Sequence, residues 1–433
     1  MFPRSSGLLL HATSLPGGRL GDEALAFADF CAAAGQRWWQ MLPVGPPGPG
    51  HSPYSALSAF AGSEDLAPRT APADDGRDAF ARAQRTWLDD YALFRALRTA
   101  HGPHWTKWPK PLRDRRPSAL SRSPKDHGRA VARVVSRQHG SDAAWRAMKR
   151  HANERGVGLV GDLPLFVAHG SADVWAHREL FKLKRNGQPR VVTGVPPDYF
   201  SKNGQVWNTP HYDWKAMRRR RFRWFKARVD RLFELFDAVR IDHFLGLLRA
   251  WEVPAGARTA RKGRWAPAPG QALLKALGPR TFIAEDLGLV TPEAHALRES
   301  HRMPGMRVLQ FSFGGDPWSR PHAFPRNCVV YTGTHDNNTA KGWFREGGDD
   351  RRRAARWAGV PARDIHWGLI RVAWTSACDV AIAPVQDVLG LGAAARMNVP
   401  GKARGNWGWR MAKGALTRAH ARRLRALTED AGR

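Results

Sequence analysis

The stretch VRIDHF, residues 239–244, is a short apolar run that stops at an acid, Asp242, with Arg240 two residues before it. Residues two apart on a strand point to the same face, so this cation and this carboxylate belong side by side. Two later stretches repeat the pattern: FIAEDLG (282–288) stops at Glu285, and YTGTHDN (331–337) runs to Asp336. A lone apolar run ending in an acid is common. Three in succession, each followed by a helical stretch, indicate successive parallel strands feeding one catalytic mouth.

Working outward, eight strands are predicted, at 7–10, 38–44, 157–163, 238–242, 281–285, 306–311, 328–332 and 379–384. Most lead into a helical pattern before the next begins. That alternation predicts an α/β fold, and the count of eight predicts a closed (β/α)8 TIM barrel over a single catalytic domain, residues 1–433. Two connections exceed a simple crossover and read as insertions around the mouth: 45–156 between strands 2 and 3, and 164–224 between strands 3 and 4. Within the first, 80–99 and 140–154 have helix-forming composition, whereas 102–135 reads as irregular, Pro-interrupted surface.

Lys and Arg number 69 against 38 for Asp and Glu, a formal charge of +31. Such a surface adheres nonspecifically to polyanions. The basic residues are scattered, and no nucleic-acid motif accompanies them. The cluster Arg218–Arg221 opens a segment whose apolar residues Phe225, Val229, Leu232, Phe233 and Phe236 fall at helical spacing, which puts the arginines on a solvated face. Cys31, Cys328 and Cys378 form neither a CxxC pair nor an even set and read as buried free thiols. No stretch approaches twenty apolar residues, so a soluble cytoplasmic protein without a membrane partner is expected.

Cleaving a glycosidic bond with retention takes one carboxylate to attack the anomeric carbon and one carboxylic acid to protonate the leaving oxygen, about 5 to 5.5 Å apart. Adjacent barrel strands can supply the pair. Asp242 and Glu285 end consecutive predicted strands and are the natural nucleophile and acid/base; Asp336 adds a third acid for a positively charged transition state. Arg240 would favour an ionised Asp242. His243 and His335 each neighbour an acid and can donate to sugar hydroxyls. No His, Cys and Asp spacing matches a metal site, and no cofactor is expected.

These residues sit in a longer series: LHATSLPGGRLGD (10–22), WQMLPVGP (39–46), SPYSALSAFAG (52–62), GDLPLFV (161–167), PPDYFSKNGQVW (196–207), WEVPAG (251–256), GRWAPAPG (263–270), MPGMRVLQFSF (303–313), QDVLGLG (386–392) and RMNVPG (396–401). In this order they resemble the amylomaltases, the 4-α-glucanotransferases of glycoside hydrolase family seventy-seven in the α-amylase clan. The resemblance implies that Asp242 is the nucleophile, Glu285 the acid/base and Asp336 the transition-state stabiliser. It also implies that an α-1,4-glucan segment passes from a donor to the 4-hydroxyl of a sugar acceptor. Ser52 and Tyr54 match donor-side contacts, Asp162 a carboxylate under the donor sugar, and Arg240, His243, Asp286 and His335 neighbours of the acids. Trp207 matches an acceptor-side stacking platform, with Asn398 close to it.

The chain departs from the family pattern at three places. Asn208 and Thr209, before Pro210, stand where Gly-Asn-Pro is usual, which predicts a stiffer loop after Trp207. Leu245 replaces an arginine, and Ser55 a glutamine.

Overall fold

In the computed structural model, residues 2–68, 76–197, 201–288, 290–314, 320–402 and 404–433 are described; Asp198–Phe200, inside the motif at 196–207, lie outside them. Twelve strands occur among these residues: β1 (Ser5–Leu9), β2 (Trp38–Gln40), β3 (Gly158–Leu163), β4 (Val191–Val195), β5 (Gln205–Pro210), β6 (Ala238–Ile241), β7 (Arg249–Pro254), β8 (Arg264–Pro267), β9 (Phe282–Ala284), β10 (Gly305–Val308), β11 (Cys328–Tyr331) and β12 (Val380–Pro384).

Eight of them, all parallel, form one sheet in the order β10-β11-β12-β1-β2-β3-β6-β9. The two outer strands meet where the N–H of Ala284 donates to the carbonyl of Pro304 at 2.9 Å. The sheet thus closes into a (β/α)8 TIM barrel, and each of the eight predicted strands is one of its staves. Each strand is buried on both faces, so it reads as a continuous apolar run. Side chains such as Leu9, Val160, Ile283, Met306, Val329 and Ile382 form one buried cluster, and a larger one packs strands against helices. All three cysteines are buried free thiols.

The stretch 102–135 is irregular only as far as Arg116, apart from single turns at Trp105–Lys107 and Lys110–Arg113. One helix runs from Pro117 to Glu154, with Pro117 at its first turn, where proline's missing N–H costs nothing. Val134, Trp145, Met148 and Ala152 are buried at helical spacing along it, and it packs on the helix Arg85–His101. That apolar stripe outweighs the proline inside the helix, which sequence punctuation alone overweights.

The remaining four strands form a second sheet, β5-β4-β7-β8, antiparallel throughout. It joins the insertion after β3 to the hairpin after β6, so residues 249–267 share a unit with the 164–224 stretch. Glu252, buried on β7, ties the unit together: it accepts from His211 Nδ1 at 2.6 Å and from Arg264 Nε at 3.2 Å, and pairs with Lys182. Burial would raise the Glu252 carboxyl, but the bonds and charge of His211 and Lys182 overcome it and hold the group down at about 2. Arg218–Arg221 are exposed across the last turn of the helix Trp214–Arg219 and the turn that leads into the helix Arg223–Leu235. No helix among the described residues is long and apolar enough to cross a membrane.

Candidate active site

Asp242 follows β6, Glu285 follows β9 and Asp336 lies beyond β11, the fourth, fifth and seventh staves; all three stand at the C-terminal end of the barrel, where such folds place their chemistry. The register pairs Arg240 with Ile283 and Ile241 with Ala284, so the next step outward brings Asp242 level with Glu285. Backbone bonds fix that level: Asp242 N–H donates to Leu163 O at 3.0 Å, Glu285 N–H to Ile241 O at 3.0 Å and Phe244 N–H to Glu285 O at 3.1 Å.

Arg240 is buried between two carboxylates. Its Nη1 donates to both oxygens of Asp162, at 2.9 and 2.8 Å, and its Nη2 lies 3.0 Å from Asp242 Oδ1. Burial opposes the guanidinium charge, yet these two acids hold Arg240 well above its ordinary value. Asp162 in turn accepts from the Tyr54 hydroxyl at 2.7 Å. That hydroxyl has one proton, so the 2.9 Å bond to His335 Nε2 needs the imidazole to donate. The same Nε2 is 3.4 Å from Asp336 Oδ2. A continuous polar row therefore runs Asp242, Arg240, Asp162, Tyr54, His335, Asp336.

Glu285 sits apart from the row's cation. His243 N–H donates to its Oε2 at 2.7 Å and Leu287 N–H to its Oε1 at 3.3 Å. Burial pushes its carboxyl up, with the Asp242 charge adding to the push, and Arg240 and the two amides pull it back; the balance lies at about 8. Two neighbouring carboxyls thus stand in unlike surroundings, one against a guanidinium and one that prefers its proton.

Other predicted site residues gather around these. Ser52 accepts from Tyr54 N–H at 3.3 Å and orients that ring. Asn398 donates to Asp336 Oδ1 at 2.6 Å, which places it at Asp336. Trp207 is half-buried on β5 with its ring edge-on to His243, centroids 4.8 Å apart. His243 holds a left-handed φ of 54°, and burial lowers its pKa. A Cβ at Gly246 would come within 2.7 Å of the His243 ring, so glycine keeps that space open.

Two expectations change. Asn208 is not a stiffened substitute for glycine: it adopts φ 58°, the left-handed conformation itself, which asparagine tolerates best among non-glycine residues. Thr209 bonds the hydroxyl of Thr193 across β4 and β5. Asp286 faces away from the mouth. As the residue after Glu285 it takes the opposite side, where it accepts from Met306 N–H at 2.7 Å and pairs with Arg298 at 3.3 Å in the barrel wall. A sugar contact is replaced by a structural one.

Sequence reasoning passed over Arg396, which donates to the Asp336 carbonyl at 2.9 Å, and Trp407, whose ring meets Tyr54 and His335 at 5.9 and 6.1 Å. It also passed over Phe311, 54% exposed just beyond β10, between the strands carrying Glu285 and Asp336. The signal for Phe311 was present as an aromatic at a strand end. Arg396 and Trp407 lie in a glycine-rich loop without periodicity.

Comparison with known proteins agrees with this geometry. The sequence matches the 4-alpha-glucanotransferase family, glycoside hydrolase family seventy-seven, over residues 9–68 and 63–417. It is 42% identical to the 4-alpha-glucanotransferase of Thermus thermophilus across 99% of each chain. Against that of Synechocystis sp. the identity is 41%, over 99% of this chain and 98% of the relative. The fold matches the amylomaltase of Streptococcus agalactiae, solved in complex with acarbose, with a TM-score of 0.95 at 30% identity over 99% of both chains. This chain belongs to the amylomaltases, the 4-alpha-glucanotransferases of glycoside hydrolase family seventy-seven, enzymes that transfer α-1,4-glucan segments.

Proposed function

We propose that the transfer is a retaining double displacement between maltooligosaccharides and starch- or glycogen-derived glucans. Protonated Glu285 gives its proton to the glycosidic oxygen while Asp242 attacks the anomeric carbon; the C–O bond to the leaving glucan breaks and a covalent glucosyl–Asp242 ester forms. The shortened glucan leaves. The non-reducing 4-hydroxyl of an acceptor then loses its proton to Glu285 and attacks the same carbon, which releases Asp242. Asp336 grips ring hydroxyls as positive charge develops.

The observation that carries this reading is the contrast between the two carboxyls. Arg240 Nη2 stands 3.0 Å from Asp242, which suits an anionic nucleophile, whereas the Glu285 carboxyl is pushed up to about 8, which suits a proton donor near neutrality. Asp242→Ala is expected to abolish glucose release from maltotriose while leaving the fold intact; retained turnover would sink the nucleophile. The product ladder decides the acceptor. Oligosaccharides longer than maltotriose mean transfer to sugar, and glucose with maltose alone would mean hydrolysis.

A further inference from the structure

The polar row that joins Asp242 to Asp336 has an indole at each end. Trp207 stands beyond Asp242, edge-on to His243. Trp407 stands at the other end, against the rings of both Tyr54 and His335, with interplanar angles of 49° and 37°. Trp407 is half-buried, and its φ of 66° is a left-handed conformation that bulky residues rarely adopt. The surrounding loop imposes it. Trp407 N–H donates to Met397 O at 2.6 Å, Val399 N–H to Asn406 Oδ1 at 3.0 Å, and Asn406 Nδ2 to Lys402 O at 2.8 Å. The same loop sends Asn398 to the Asp336 carboxylate, so one strap fixes both a catalytic carboxylate and the indole.

We infer that Trp407 is a specificity-determining platform on which a donor glucose beyond the scissile sugar stacks. The inference rests on the transfer reading above, with Trp207, as the resemblance implies, on the acceptor side. A glucan threaded past Asp242 and Asp336 leaves the acids at two ends, and at the Tyr54 and His335 end Trp407 adds an indole face beyond the contacts expected of Ser52 and Tyr54. A pyranose presents a face of C–H bonds, and a half-exposed indole held rigid costs little entropy to bind it.

Initial rates of glucose release from maltotriose and of transfer to added glucose test this in the full chain. Trp407→Ala and Trp407→Leu are both expected to raise the donor KM by about fivefold to tenfold, with kcat and the acceptor KM each within about twofold of the parent. Trp407→Phe, which keeps a ring, should recover most of the loss. Leucine fills the space without an aromatic face, so a Leu variant with parental donor KM would overturn the stacking role and leave only packing. A fall in kcat without a change in donor KM, or a rise in acceptor KM instead, would overturn it too. Parent enzyme that forms neither glucose nor longer oligosaccharides from maltotriose would overturn the transfer reading and this inference together, whereas an active parent with unaffected variants removes Trp407 alone.

Discussion

His243 donates its backbone N–H to Oε2 of Glu285 at 2.7 Å, and it does so from a left-handed φ of 54°. His243 directly follows Asp242, so the peptide that presents one acid also holds the other, and the separation of the two is set by backbone rather than by mobile side chains. A preformed spacing of this kind is what in-line attack and proton transfer both need.

The first prediction concerns pH. The Glu285 carboxyl lies at about 8, and the free enzyme must hold its proton to cleave the donor bond. Raising pH through that value removes the proton, so kcat/KM for maltotriose should fall along a basic limb with its midpoint near 8. Glu285→Gln should lower kcat by about 10² to 10⁴ and lose the limb. A pH–rate profile flat to pH 9.5 would contradict the assignment.

The same shift bears on stability, with the opposite benefit. A carboxyl raised from 4.5 to about 8 in the folded state favours folding below pH 4.5 and progressively loses that advantage as pH rises to 8. Above pH 8 the fold carries an ionised Glu285 that it disfavours. Glu285→Gln should therefore raise Tm, little at pH 4.5 and most at pH 9. Thermal unfolding at those two values measures the difference; a variant less stable at pH 9 than its parent would refute it.

How much of this was readable in advance depended on where each residue's neighbours lie in the chain. The barrel strands could be found because a strand buried on both faces is a contiguous apolar run, and the acids because they end such runs. Arg240 could be placed beside Asp242 because strand alternation is local. Asp286 could not be oriented by its neighbours' reputation, yet alternation after Glu285 held the answer: one residue on, the side chain faces the wall. The small sheet escaped because its two halves join where β4 pairs with β7, only after barrel strand β6 has intervened, and pairing across that interval leaves no local signature. Trp407 reaches Tyr54 across more than three hundred residues, through a loop whose shape comes from Asn406 and Met397 rather than from any period.

Asn208 offers a test on the acceptor side. Its φ of 58° lies one residue from Trp207, on an exposed position where the side chain is free to change. Asn208→Ala should cost about 1 kcal/mol of stability, since alanine resists the left-handed region, and should raise the acceptor KM as the Trp207 strand relaxes. Asn208→Gly should keep stability within about 0.5 kcal/mol of the parent, because glycine adopts this φ freely at an entropic cost in the unfolded chain. Denaturant unfolding and glucose-acceptor kinetics on both variants would decide; equal stability of the Ala and Gly variants would show that the backbone does not require this conformation.

Asp286 separates a structural carboxylate from a catalytic one. Its oxygens meet Met306 N–H at 2.7 Å and Arg298 at 3.3 Å, and both charged side chains are buried. Gly305 makes room for it, since a Cβ there would fall 2.4 Å from Oδ2. Asp286→Asn keeps the shape but takes away the buried counter-charge of Arg298, leaving it only the exposed Glu299 at 3.5 Å, which should cost about 3 kcal/mol. Turnover of maltotriose at a temperature where the variant is folded should stay within about threefold of the parent, because nothing at the mouth has been removed. Asp336→Asn should do the reverse: Asp336 is exposed, so stability should hold, while kcat should fall by about 10² or more as the transition state loses its third acid. Measuring Tm and kcat for the pair checks both, and an Asp286→Asn enzyme that is stable but inactive would return that residue to the sugar.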